Sequence, residues 1–171
     1  MKHLPRWFRL AAAVLAAALL WPSPAMAQCS SGDSCTLTIA MPVAQVLRLS
    51  LSTDITDLGT PTAADFTAGY RDATGPGVTV KANRAWQLTV DGMGTQFTYT
   101  GSLADPAKPL SDLAWGTTAG SYTNTLGTPA AFGSGGPGLT VGPIYFRTHW
   151  DFLRDIPGDY QAVVNFTLAA P

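Results

Sequence analysis

Few residues in this chain have the types and spacing that chemistry needs. Hydrolysis by a nucleophilic Ser requires a nearby base, usually a His oriented by a carboxylate. The chain has two His, and His149 is the one beyond the N-terminal leader described below. It sits within an alternating, strand-like run, and no Gly-x-Ser-x-Gly elbow accompanies it; Gly133-Ser134-Gly135 lacks the spacing. Paired carboxylates are the next chemistry, since glycosidases place two acids about the scissile bond. Asp151, Asp155 and Asp159 recur every fourth residue, but Pro157-Gly158 forbids the helix that would align them. Asp54 and Asp57 do not follow the calcium-loop pattern, and the glycine-rich stretch 133–138 is not followed by Lys-Ser/Thr, so no phosphate cradle is supported. The reading is therefore a non-enzymatic protein with no cofactor and no metal.

Cys29 and Cys35 flank a small polar loop, Ser30-Ser31-Gly32-Asp33-Ser34. Their spacing is not that of a redox Cys-x-x-Cys pair, and nothing completes a metal set. A local structural disulfide between them is the expectation, provided the chain reaches an oxidising compartment. Aromatic rings offer the remaining chemistry, because their faces suit the apolar faces of sugars. Trp86 is in phase with Leu88 and Val90, and Trp150 with Ile144 and Phe146, so both read as core. Trp115 lies beside a loop and is the tentative ligand-binding residue, with a glycan as its partner.

The N-terminus supplies the compartment. Lys2, Arg6 and Arg9 precede an apolar run from Leu10 to Leu20, and Pro22 and Pro24 end it before Ala25-Met26-Ala27. That order is a secretory signal peptide over residues 1–27, too short in its apolar part to span a bilayer. Residues 28–171 then form one domain, with no membrane span after cleavage. The expected location is secreted: periplasm, cell surface or extracellular. Lys plus Arg is 10 against 11 Asp, which gives no basic footprint for nucleic acid.

The elements that would carry these residues are strands. Glu, a good helix former, is absent from the chain. Period-two alternation marks Leu37–Ile39, Leu47–Leu51, Val78–Val80, Trp86–Val90, Phe97–Tyr99, Ile144–Phe152 and Tyr160–Leu168. Residues 53–65 and 116–141 read as loops, with Phe132–Gly138 too glycine-rich for regular structure. The last two strands bracket Asp155-Ile156-Pro157-Gly158-Asp159, which predicts a closing hairpin. The fold expected is an all-β, antiparallel β-sandwich of about seven to nine strands.

Asp155-x-Pro157-Gly158-x-Tyr160 followed by an alternating strand resembles the end of many secreted immunoglobulin-like domains. The resemblance implies that Tyr160 tucks back against the chain as a tyrosine corner. The order of a signal peptide, a Cys-started strand at Cys35–Ile39, a Trp-bearing strand at Trp86–Val90 and a final strand at 158–168 is similar to the spore coat protein U and pilus-subunit group of exported bacterial sandwiches. That similarity implies an immunoglobulin-like fold and a structural or adhesive surface role, as a coat- or pilus-like subunit. It also implies partners in self-association or among other surface proteins, with chaperone and usher as the assembly route. Residues 28–34 are too short and polar to be a donated strand, so a self-complete sandwich is expected, with 158–168 filling its own sheet. A carbohydrate-binding module is the alternative.

Overall fold

The computed structural model describes residues 37–171; residues 1–36, with the leader, Cys29 and Cys35, lie outside the described residues. The chain divides at Pro42 into two units, the second running from Val43 to Pro171. In the first, residues 37–42 form no strand, and Leu37, Ile39 and Met41 are 81%, 75% and 81% exposed. The strand expected over Leu37–Ile39 is thus not formed.

The second unit holds ten strands: β1 Leu47–Leu51, β2 Tyr70–Ala82, β3 Trp86–Gly92, β4 Thr98–Thr100, β5 Leu113–Gly116, β6 Asn124–Thr125, β7 Ala130–Gly135, β8 Gly138–His149, β9 Asp159–Gln161 and β10 Val164–Ala169. Five make one sheet in the order β1-β2-β8-β5-β6, three make a second in the order β10-β3-β7, and β4 pairs with β9. Every pairing is antiparallel. The all-β class holds; among the described residues the helical elements are a short α-helix, α1, at Ala63–Ala68 and a 3-10 turn at Leu110–Asp112.

Alternation places the core. Val78 and Val80 of β2, Ile144 and Phe146 of β8, and Leu113 and Trp115 of β5 join Trp86, Leu88 and Val90 of β3 in one buried cluster. Burial of such side chains contributes about 1.5–3 kcal/mol each. The outward set of the same strands is mostly polar or aromatic, with Leu139 and Val141 of β8 as exposed aliphatic exceptions. There Arg147 of β8 makes two hydrogen bonds to Asp72 of β2, at 2.7 and 2.9 Å, between the rings of Tyr70 and Tyr122. Between Thr74 and Gly77 the β2–β8 register shifts. A side chain at Gly75 would collide with Phe146, so only Gly lets β2 approach β8 there.

Three expectations need correction. Phe132–Gly135 belongs to β7, and β8 starts at Gly138, leaving only Gly136-Pro137 as the turn. Ladder pairing with Trp86, Gln87 and Leu88 holds these glycines extended. Within 53–65, Thr62 caps α1 with a reciprocal pair of bonds to Asp65, so the loop ends in a helical turn. Finally, β8 and β10 are not a hairpin. β8 lies in the five-stranded sheet and β10 pairs with β3 in the other. The segment with Asp155, Pro157 and Gly158 is an arch between sheets, and its exit, Tyr160, pairs with Tyr99 of β4.

Candidate functional site

The arch is anchored by a buried charge cluster. Lys108, in the loop before β5, is wholly buried, and its Nζ lies 2.8 Å from Asp155 Oδ2 and 3.2 Å from Asp112 Oδ2. It also donates to the His149 carbonyl and sits 4.4 Å from the centroid of the Trp150 ring, with Phe97 at 6.0 Å. Arg154 reaches round the outside, donating from Nε to Asp155 Oδ1 at 3.1 Å and from its other arm to Asp112. The Asp151 N–H donates to Asp155 Oδ2 at 2.9 Å. Burial pushes the Asp155 carboxyl up, but the bonds from Arg154, Lys108 and Asp151 outweigh it and hold the group below its ordinary value. A fully buried Lys is tolerated only with such partners.

The other arch residues are held by hydrogen bonds to backbone. The Tyr160 hydroxyl donates to the Ile156 carbonyl and accepts from the Ile156 N–H. The Tyr99 hydroxyl donates to the Pro157 carbonyl at 2.8 Å. Gly158 lies against the Tyr99 ring, where a Cβ would overlap it.

Trp115 is 1% exposed, stacked on Phe132 in the core. The expectation that it is free to bind a ligand fails. β5 lies between β8 and β6, which brings its ring into the cluster rather than beside the following loop. No glycan face is available at Trp115. Trp86 is buried as expected, and Trp150 packs its ring against Tyr160 and Phe66. Among the described residues, no group of three or more His, Cys or acidic side chains could hold a metal ion.

Sequence reasoning missed a concave feature beside the arch. A groove of about 490 Å³ runs between the segment Leu51–Pro61 and the segment Gly158–Phe166. Its lining includes Phe97, Leu113, Phe146, Thr148 and Trp150. It opens where two edges stay unpaired among the described residues: β1 pairs only with β2, and β10 only with β3. Consequently Leu47 and Leu49 of β1 and Val164, Phe166 and Leu168 of β10 pack on the core but remain only partly buried. Among the described residues, no strand lies along either edge to cover them.

Just before β1, the Asn83 side chain donates to the Ala44 carbonyl and accepts from the Val46 N–H, both at 2.8 Å. Leu37, Ile39, Met41 and Val43 alternate ahead of β1, and Val43 is 83% exposed.

No protein-family model and no curated protein matches the chain. Among solved structures, a chain from a chaperone-usher pilus superposes with a TM-score of 0.44 at 13% identity. The match covers 84% of this chain and 99% of that chain.

Proposed function

We propose that the protein is an exported structural subunit that self-associates. In this reading, the alternating segment Leu37–Val43 of one copy lies along the open groove between β1 and β10 of the next. One observation carries the reading. The chain exposes a period-two apolar segment and, in its sandwich, an apolar groove bordered by two strand edges that are unpaired among the described residues. Each is a liability in water, and each is what the other needs. An added strand would gain main-chain hydrogen bonds along β10 and bury its alternate side chains against Phe166 and Leu51. The intervening residues, Thr38, Ala40 and Pro42, would face solvent, and Pro is tolerated on such an edge.

The leader over residues 1–27 places the subunit outside the cytoplasm in this reading, and the Cys29–Cys35 disulfide would form there. The test is light scattering on the chain cleaved after Ala27, across a concentration series. The reading expects a mass that grows with concentration, and growth abolished by Ile39→Asp. A single mass of one chain throughout would overturn it.

A further inference from the structure

We propose that Lys108 and Asp155 are joined in the mature protein by an intramolecular amide bond. Both side chains are wholly removed from solvent, and Nζ lies 2.8 Å from Oδ2. The surroundings hold the groups that such a condensation requires. Asp112 Oδ2, at 3.2 Å from Nζ, is placed to take a proton from the ammonium. Arg154 Nε, at 3.1 Å from Asp155 Oδ1, is placed to stabilise negative charge building on that oxygen. Trp150 and Phe97 wall the amine, which keeps bulk water from competing.

The step balances without any co-reactant. Lys108 passes one proton directly to Asp155 Oδ2 and, as the neutral amine attacks Cγ of the now uncharged carboxyl, a second to Asp112. The N–Cγ bond forms, charge collects on Oδ1 against Arg154, and the Cγ–Oδ2 bond then breaks. Oδ2 leaves as water with two of the three ammonium protons, one of them returned by Asp112. An ammonium and a carboxylate become an amide and one water, with no change of oxidation state. Enclosure supplies the rate, since fixed neighbours behave as if at very high concentration. Enclosure also favours the product, because a buried ion pair carries a desolvation cost that a neutral amide avoids.

The bond would tie the loop before β5 to the arch before β9, across 47 residues of chain. It would hold whether or not the copies associate, so its test is independent of the function proposed above.

The experiment is intact mass measurement of the purified full chain in denaturant, followed by tryptic mapping. The amide predicts a chain lighter than its sequence by one water. Trypsin spares Lys108 because Pro109 follows it, so the link would appear as one branched peptide joining 85–147 to 155–171. Lys108→Arg and Asp112→Asn should each restore the full mass. A wild-type chain of full mass would overturn the proposal. So would a water loss mapped to another site, such as a cyclised Asp91-Gly92.

Discussion

The Tyr160 hydroxyl closes a ring with the backbone of Ile156, donating to its carbonyl at 2.9 Å and accepting from its N–H at 3.1 Å. One phenol therefore satisfies both polar groups of a residue in the arch between the two sheets. Removing it leaves those groups partly buried without a partner, while the ring remains against Phe97 and Trp150. Tyr160→Phe is expected to lower unfolding free energy by about 1–2 kcal/mol. Urea denaturation checks this, with the slope unchanged and only the midpoint moving.

Trp115 is a core residue, and its replacement should behave as one. Trp115→Ala opens a cavity beside Phe132, Leu113 and Phe146. The expected cost is about 3–5 kcal/mol, read as a large fall in the thermal midpoint. A folded variant of normal stability that had lost binding to a glycan would restore the ligand-binding reading.

Gly158 sits where a methyl group would overlap the Tyr99 ring and crowd the Thr100 carbonyl at 2.9 Å. Tyr99 is held in place by its bond to Pro157, so the ring cannot simply turn away. Gly158→Ala is expected to cost about 1–3 kcal/mol through overpacking. Because β9 borders the groove, the same variant should weaken self-association more than its stability loss alone explains. Comparing denaturation with light scattering separates the two effects.

Acid should loosen the molecule in a defined direction. The Asp72 carboxyl is held below its ordinary value by the hydrogen bonds from Arg147, with burial opposing. The Asp65 carboxyl is lowered by the Thr62 backbone N–H and hydroxyl and by Arg71. For both, the folded value lies below the unfolded one. Their contribution is therefore complete above the ordinary carboxylate range and is lost as pH falls through the lowered values. Thermal midpoints taken downward from neutral pH should stay level and then fall in that acid window. Asp72→Asn should flatten part of the fall.

Much of the fold could be read from residue order, and the reasons are local. Leu47–Leu51, Val78–Val80 and Trp86–Val90 alternate cleanly, and each became a strand with its apolar set inward. Local pattern could not say which strands pair. Ile144–Phe152 and Tyr160–Leu168 flank a Pro-Gly turn, yet they part into different sheets, because β9 pairs with β4 and β10 with β3. Glycines misled at Phe132–Gly135, where cross-strand pairing overrode a weak strand preference. The alternation at Leu37–Ile39 was legible, but that it forms no strand among the described residues was not. The charge cluster was invisible as well. Lys108 and Asp155 are 47 residues apart in sequence, and the motif that holds Asp155 does not include Lys108.

The central claim is that the apolar segment of one copy seats in the groove of another, and mixing two complementary variants tests it most directly. Ile39→Asp spoils the segment and leaves the groove intact, whereas Leu51→Asp places a charge in the groove and leaves the segment intact. Light scattering on each alone should give single chains. An equal mixture should give a two-chain complex that grows no further, because only one productive seat remains. Single chains in the mixture, or growth of either variant alone, would contradict the account.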